Sequence, residues 1–202
     1  MKSSLTLVLV VFINTTVSFS QTALLTNIED LSSSFTLDMR YATENNFLEE
    51  VLYDCGTCLL LPETAAALNQ ANLYFNSMGY RIKIWDCYRP VDVQVKMFAK
   101  VPNPMYVADP KEGSIHNRGG AVDLTLETLD GIELDMGTDH DHFGREAHID
   151  NFDLPEAVLN NRDILETGMK QYGFQTIQSE WWHFNHTSAS GKPVMNEPLS
   201  CE

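Results

Sequence analysis

Four polar residues in two short segments could together form a catalytic metal site. His116 and Asp123 stand seven residues apart across Gly119-Gly120, and Glu180 stands three residues before His183. A loop histidine and a strand aspartate can converge on one ion, and both offer atoms that zinc accepts at about 2.0–2.2 Å. Two histidines and one aspartate would leave a fourth position open for water, as in a catalytic zinc site. Glu180 could then act as general base on that water.

The spacing of Glu180 and His183 makes a structural demand. Residues i and i+3 of a regular strand point to opposite faces, so Glu180 needs a bend, bulge or turn just before the strand. Each feature alone also has a plainer explanation. A histidine near an aspartate is common, Trp181-Trp182 beside a histidine fits core packing, and a lone glutamate is usually solvated.

The elements that must position these residues mix helices and strands. Helices are predicted over 62–79, where proline suits the first turn, over 91–101, and over 155–172, where Gly173 ends the helix. Alternating residues predict strands over 80–86 and 121–126, and a last strand is predicted to include 181–184. Asp130-Gly131 predicts a hairpin to a strand over 132–136. Hairpin signals without regular βαβ units favour an α+β fold.

Composition and charge limit the classes of partner. The chain has 202 residues, 44% of them hydrophobic, which is typical of a folded protein and fits one domain. With 28 acidic and 13 basic residues the net charge is −15. Such a charge disfavours nucleic acid and anionic membrane surfaces as partners.

The first 20 residues are typical of a secretory signal peptide. Lys2 precedes an apolar run over 5–13, and small residues stand before a cleavage point at Ser20-Gln21. A membrane anchor is disfavoured because the run is about half of the roughly 20 residues that a spanning helix needs. We therefore predict an exported protein, periplasmic or secreted, with residues 1–20 removed and a domain over 21–202.

The four cysteines fit an oxidising compartment. Cys55-Gly56-Thr57-Cys58 could suggest zinc or redox chemistry, but Cys87 and Cys201 form no second close pair. A redox motif should also open a helix, whereas this one is followed by an apolar stretch and Pro62. We predict structural cysteines, and four of them allow three pairings.

The complete local strings resemble a known family, the D-alanyl-D-alanine dipeptidases of the VanX type. These are zinc peptidases related to D,D-carboxypeptidases and to the hedgehog signalling domain. The resemblance covers about residues 35 to 185, nearly all of the predicted domain. The segments that carry it are Ser114-x-His116-x-x-Gly119-x-Ala121-x-Asp123-Leu124-Thr125-Leu126, Glu180-Trp181-Trp182-His183, Asp38-Met39-Arg40-Tyr41-Ala42-Thr43, Trp85-Asp86-Cys87-Tyr88-Arg89-Pro90, Asp135-Met136-Gly137 through Asp141, and Asn160-Asn161-Arg162.

The resemblance implies a role for each matching residue. It makes His116, Asp123 and His183 the ligands of one zinc ion per chain and Glu180 the catalytic carboxylate. Arg89 matches the arginine that stabilises the oxyanion, a fitting task for a guanidinium beside a developing negative charge. A structural ion pair at a turn is the alternative for Arg89. Tyr41 and Asp141 match positions that contact the substrate's amino group, and Ser114 matches one at its carboxyl end.

Two features depart from the family pattern. Ile115 stands where some members carry a second serine, and Cys87 stands where glycine or alanine also occurs. The run Asp139-His140-Asp141-His142 offers a rival metal cluster. Because Asp141 already has a role by resemblance, we expect His140 and His142 to be exposed loop residues.

The sequence thus predicts a single α+β domain with a central, mainly antiparallel sheet, flanking helices and a zinc site at the sheet. The resemblance implies hydrolysis of D-Ala-D-Ala in cell-wall peptide metabolism, with a small dipeptide as the partner. A related D,D-carboxypeptidase or L,D-endopeptidase on longer wall peptides is one alternative. A non-catalytic zinc-bound binding protein is another, although a purely structural zinc needs neither Glu180 nor Arg89.

Overall fold

The computed structural model describes residues 25–32, 34–199 and 201, so the predicted signal peptide lies outside the described residues. A five-stranded sheet and three longer helices form the body of the fold. The strands are β1 (Thr26–Asn27), β2 (Thr36–Leu37), β3 (Leu59–Leu60), β4 (Tyr80–Asp86), β5 (Ala121–Thr128), β6 (Phe174–Ile177) and β7 (Glu180–His186). The helices are α1 (Pro62–Ser77), α2 (Val91–Lys100) and α3 (Glu156–Gln171).

The main sheet has the order β2-β4-β5-β7-β6, and β1 pairs with β3 in a separate ribbon. Every pair in the main sheet is antiparallel except β2 with β4, which confirms the mainly antiparallel α+β prediction. The central strand β5 is buried over seven of its eight residues. Because it lies between neighbours on both sides, its polar residues face protein and need partners there.

Two helices pack together beside the sheet, and both begin and end as predicted. α1 starts at Pro62 and ends before Gly79 (φ +88°), while α3 ends before Gly173 (φ +85°). At Gly168 a Cβ atom would lie 2.3 Å from Phe75 Cζ, so glycine allows α3 to approach α1 closely. Asn72 of α1 accepts a hydrogen bond from the backbone N–H of Ile82 at 2.9 Å, which fastens the helix to β4.

The prediction of a strand over 132–136, as the second strand of a hairpin with β5, is wrong. The turn exists, with Gly131 at φ +85°, but pairing with β5 is limited to the isolated bridge Glu127↔Glu133 and its two hydrogen bonds, Thr128 N–H to Ile132 O and Leu134 N–H to Leu126 O. The backbone carbonyl oxygens that follow accept hydrogen bonds from side chains of α3 instead. Asn161 Nδ2 donates to Asp135 O, and Arg162 Nε donates to Met136 O. The segment therefore leaves the sheet before a ladder can form.

All four cysteines form disulfides, which confirms their predicted structural role. Cys58 pairs with Cys87 and Cys55 pairs with Cys201. The first bond joins the residue just before β3 to the residue just after β4, and the second joins the chain's last described residue to the segment before β3. Bridges of this kind typically stabilise a fold by about 2–4 kcal/mol.

Across residues 25–32, 34–199 and 201, no helix combines the length and apolar character that crossing a bilayer requires.

Candidate metal centre and substrate cleft

Two carboxylates and one imidazole form a row across the sheet. Asp123 on β5 pairs directly with His183 on β7, so both side chains point to the same face. In β4 the register shifts between Ile84 and Asp86, and this bulge places Asp86 opposite Asp123. A bulge re-aims the side chain beside it. Asp86, Asp123 and His183 therefore lie side by side on three neighbouring strands.

His116 reaches the same place from the turn that leads into β5. It begins a short 3-10 helix that closes on Gly119, whose φ of +66° favours glycine. A Cβ at Gly119 would lie 2.8 Å from Leu25 Cδ2, so a larger residue would strain the turn. The Ser114 hydroxyl accepts from the His116 N–H at 3.2 Å and steadies the turn.

The three predicted ligands present one atom each to a common point. His183 Nδ1 lies 3.0 Å from Asp123 Oδ1, His116 Nε2 lies 3.3 Å from the same oxygen, and the two nitrogens are 3.2 Å apart. A tetrahedral ion with ligands at about 2.0–2.2 Å separates its ligand atoms by about 3.3–3.6 Å. The triangle is close to one face of such a tetrahedron, so the donor set fits zinc.

The protonation of the two imidazoles also favours an ion between them. His116 Nδ1 lies 2.7 Å from the Cys87 carbonyl oxygen, and His183 Nε2 lies 2.9 Å from Asn185 Oδ1. Both oxygens are acceptors, so these nitrogens carry protons, and in the neutral, ion-binding form of each ring the facing nitrogen presents a lone pair. Two lone pairs and a carboxylate oxygen repel one another unless a cation lies between them. Outer partners of this kind orient histidine ligands of metals.

Asp123 is held in its charged form. Burial alone would raise its pKa, but in the site without an ion attraction to His116 and hydrogen bonds with His116, His140 and His183 hold that pKa well below its usual value. A bound cation would take over this role. Only 3% of Asp123 is exposed. A buried anion beside two lone pairs is the electrostatic environment that a divalent cation stabilises.

Glu180 lies beside the triangle because β7 is irregular. Pairing with β6 jumps from Thr176↔Phe184 to Ile177↔Glu180, so the β7 residues between Glu180 and Phe184 have no partner on β6. This confirms the predicted bulge or bend. Glu180 Oε2 lies 3.8 Å from His183 Nδ1, and burial raises the pKa of the carboxyl to about 7. A carboxylate with a pKa near neutrality is well matched to general acid–base work.

Arg89 faces the same cleft while its guanidinium is clamped. Nε and Nη2 donate to Asp86 Oδ2 at 3.1 and 2.6 Å, and Nη1 donates to Gln94 Oε1 at 2.9 Å. Tyr53 donates to the other oxygen of Asp86 at 2.7 Å. Burial would lower the pKa of Arg89, but Asp86 holds it well above its ordinary value. Arg89 thus forms the ion pair expected at the turn and also lines the cleft.

On the other side of the His140 ring from Asp123, Tyr41 and Asp141 form a second polar pair, and the Arg89 guanidinium lies 5.2 Å from the centre of the Tyr41 ring. The Tyr41 hydroxyl donates to the Asp141 carboxylate at 2.9 Å from Oδ2 and 3.1 Å from Oδ1. Asp141 has a left-handed backbone with φ +58°, an unusual conformation for a residue other than glycine. Burial raises the pKa of the Asp141 carboxyl. Burial, together with the negative charge of Asp141, also raises the pKa of the Tyr41 hydroxyl.

One cleft of about 250 Å³ connects these groups. Its volume lies below the roughly 300–1,000 Å³ of pockets for drug-sized ligands, which suits a smaller molecule. Every predicted site residue lines it: His116, Asp123, His183, Glu180, Arg89, Tyr41, Asp141 and Ser114.

The expectation for His140 is wrong, whereas that for His142 is confirmed. The His142 side chain is 45% exposed and lies near Glu146. The His140 side chain is only 1% exposed and contacts both Asp123 and Asp141. In the described part of the chain, His116, Asp123 and His183 are the one group of three or more such side chains whose ligand atoms converge. The rival cluster at 139–142 is therefore not formed.

Several supporting residues escaped the sequence analysis. Asn185 could have been found, since it stands two positions after His183 and shares its strand face. Asp86 and Gln94 stand only three and five positions from Arg89, yet no regular spacing marks them as its partners. Tyr53 reaches Asp86 across 33 positions of the sequence.

Zinc peptidases combine an ion with an open position and a nearby carboxylate that exchanges a proton, and the cleft places this chain in that class. The chain belongs to the D-ala-D-ala dipeptidase family, whose model matches residues 21–201. This confirms the resemblance seen in the motifs.

Proteins of the same family are similar over most of the chain. A D-alanyl-D-alanine dipeptidase of Escherichia coli (strain K12) is 33% identical over 182 residues, covering 90% of this chain and 94% of that protein. A D-alanyl-D-alanine dipeptidase of Enterococcus faecalis is 30% identical over 171 residues, covering 73% and 83%. Among solved structures, a vancomycin resistance D,D-pentapeptidase in complex with Zn(II) aligns with a TM-score of 0.45 and 14% identity, over 68% of this chain and 77% of that one.

Proposed function

We propose that the protein is a zinc-dependent dipeptidase that hydrolyses D-Ala-D-Ala to free D-alanine. The observation that carries this proposal is the layout of the cleft. One cleft holds a zinc-compatible triangle with Glu180 beside it and the Tyr41–Asp141 pair next to it. Arg89 lies between them, 3.9 Å from Asp123 Oδ2 and 5.2 Å from the centre of the Tyr41 ring. Family membership supports the same activity.

His116, Asp123 and His183 would hold the ion. When bound, zinc polarises a carbonyl and lowers the pKa of its water towards about 7. Glu180, whose carboxyl lies 3.8 Å from His183, takes a proton from the attacking water and later delivers it to the leaving amine. Its pKa of about 7 suits both directions of transfer.

Arg89 would stabilise the negative charge that develops on the scissile carbonyl oxygen. Three of its five N–H groups have acceptors on Asp86 and Gln94 within the described chain, so the clamp leaves donors for the cleft. A guanidinium fixed in advance needs no reorganisation as charge develops.

Tyr41 and Asp141 would bind the free amino group of the dipeptide, and Ser114 would contact its carboxyl end. A buried carboxylate with a raised pKa gains most from an arriving cation, because the ammonium restores its charged form. The small volume of the cleft, with charges recognised at both ends, favours a dipeptide over a longer chain.

We also propose that residues 1–20 are a signal peptide and that the domain over 21–202 acts in the periplasm or outside the cell. The two disulfides support this location, since such bonds persist in oxidising compartments. There the natural substrate would come from turnover of cell-wall peptides.

The test is release of D-alanine from D-Ala-D-Ala by the purified protein, loaded with zinc or stripped by a chelator. Glu180→Gln and the control Glu166→Gln, at a half-buried helix position outside the cleft, are assayed beside it. We expect turnover that needs zinc, falls at least 100-fold in Glu180→Gln and stays unchanged in Glu166→Gln. Undiminished turnover after chelation, or in Glu180→Gln, would overturn the proposal.

A further inference from the structure

His140 lies between the predicted metal ligand and the predicted amine-binding carboxylate. Its Nε2 is 3.3 Å from Asp123 Oδ2, and its Nδ1 is 3.3 Å from Asp141 Oδ2. Each ring nitrogen thus faces a different carboxylate. The histidine connects the two ends of the cleft.

An aromatic cage fixes the ring in this place. The centroids of Trp85, Trp182 and Tyr41 lie 5.2, 5.6 and 5.8 Å from that of His140. With a side chain that is 1% exposed, the imidazole is packed almost entirely inside the protein. Its two nitrogens are therefore presented in a constant direction.

The two oxygens of Asp123 have separate surroundings. Oδ1 faces His116 and His183, whereas Oδ2 faces His140 at 3.3 Å and Arg89 Nη2 at 3.9 Å. A carboxylate free to rotate could offer either oxygen, or both, to an ion. The contact with His140 holds Oδ2 away from the triangle and leaves Oδ1 as the ligand atom.

We propose that His140 is a positioning residue with two separable tasks. Through Nε2 it fixes Asp123 as a one-oxygen metal ligand, and through Nδ1 it aligns Asp141 for the substrate's ammonium group. The second task rests on the proposed function, whereas the first concerns the metal alone. A histidine that serves only to fill the aromatic cage would perform neither.

Three substitutions separate the tasks by geometry. The amide nitrogen of glutamine can take the place of Nε2, that of asparagine can take the place of Nδ1, and phenylalanine keeps the ring without either. His140→Gln therefore retains the contact with Asp123, and His140→Asn retains the contact with Asp141. His142→Gln is the matched control, since the His142 side chain is 45% exposed.

Zinc affinity is measured on the metal-free proteins by competition with a chromophoric chelator, without substrate. KM and kcat for D-Ala-D-Ala follow at saturating zinc. Loss of an outer partner costs about 10–100-fold in metal affinity. We expect such a loss in His140→Asn and His140→Phe, near wild-type zinc affinity in His140→Gln, and a raised KM with little change in kcat in His140→Gln.

Equal zinc affinities in His140→Gln and His140→Asn would overturn the positioning of Asp123, and so would wild-type affinity in His140→Phe. An unchanged KM in His140→Gln would overturn the positioning of Asp141. Circular dichroism checks folding, and the Gln–Asn pair still decides if His140→Phe does not fold. If the wild type binds zinc but releases no D-alanine, the proposed function fails, while the zinc affinities still test the first task.

Discussion

The two ends of the cleft are built differently. At the metal end, Asp123 and His183 are cross-strand partners, so the backbone ladder of β5 and β7 sets their separation. At the amine end, Tyr41 lies on a short 3-10 helix and Asp141 on a loop with a left-handed backbone. A regular ladder fixes ligand atoms closely, whereas loops place recognition groups through side-chain contacts.

The difference has consequences for how each end fails. The metal end depends on three atoms that must converge on one point, and loss of one donor dismantles it. The amine end is held by several weaker contacts, among them Tyr41 with Asp141 and His140 with Asp141. We therefore expect that removing one metal ligand abolishes zinc binding and activity, whereas removing one contact at the amine end weakens substrate binding by degrees.

The largest effect is expected from Asp123→Ala. Removing the shared oxygen breaks the triangle and leaves His140 and Arg89 facing an empty space. Bound zinc should fall from one per chain to none, and kcat/KM should fall by roughly 10³-fold or more, about 4 kcal/mol. Metal analysis and initial rates measure both. Full zinc occupancy in this variant would show that Asp123 is not a ligand.

The second-largest effect is expected from Arg89→Lys, which tests whether the fixed guanidinium stabilises the developing negative charge. Lysine keeps the charge but loses the fork that grips Asp86, so the cation no longer has a fixed direction. We expect kcat to fall by about 10²–10³-fold, the usual cost of losing one oxyanion donor. Zinc content should stay at one per chain. The exposed variant Arg145→Lys is the control, and an unchanged kcat in Arg89→Lys would favour a purely structural ion pair.

Asp141→Asn should give the graded loss typical of the amine end. The amide keeps the shape but removes the charge that faces the substrate's ammonium group. We expect KM for D-Ala-D-Ala to rise by about 10–100-fold, the value of a charge-assisted contact of about 1.5–3 kcal/mol. Zinc affinity should stay near wild type. The neighbouring Asp139→Asn serves as control, and a lost zinc ion in Asp141→Asn would contradict the separation of the two ends.

The smallest effect concerns stability rather than rate. Burial raises the pKa of Glu180 from 4.5 to about 7, so the fold favours the neutral carboxyl. That contribution is present below pH 4.5 and is lost as pH rises through about 7. In the metal-free protein, Glu180→Gln should therefore be more stable than wild type at pH 8, by roughly 1–3 kcal/mol, and less so at pH 5. Urea unfolding at both pH values measures the difference, and a destabilised variant at pH 8 would count against a costly buried carboxylate.

The same contrast explains what could be predicted from the sequence. The periodic segments and their end signals predict α1, α3, β4 and β5 well, because proline, glycine and alternation act locally. The Glu180–His183 spacing even required the irregularity found in β7. The convergence of His116, Asp123 and His183 followed from the family strings, and the structure brings their ligand atoms together.

The features that were missed depend on contacts distant in sequence. Alternation alone groups Asp86 with Ile84 on one face, and only the bulge brings it beside Asp123. His140 was expected to be exposed because the role that the resemblance gives Asp141 spoke against a metal cluster there, yet Trp85 and Trp182 pack against its ring. The segment expected as a strand at 132–136 pairs with β5 only beside the turn, and its last carbonyls bind side chains of α3, which no local pattern reveals.

The most direct test compares D-Ala-D-Ala with N-acetyl-D-Ala-D-Ala as substrates of the zinc-loaded protein. Acetylation removes the ammonium group that the Tyr41–Asp141 end would bind and leaves the scissile bond untouched. We predict rapid release of D-alanine from the free dipeptide and a kcat/KM lower by about 10²-fold or more for the acetylated one, roughly 3 kcal/mol. Equal cleavage of both would contradict a dipeptidase whose two ends act together and would indicate a carboxypeptidase instead.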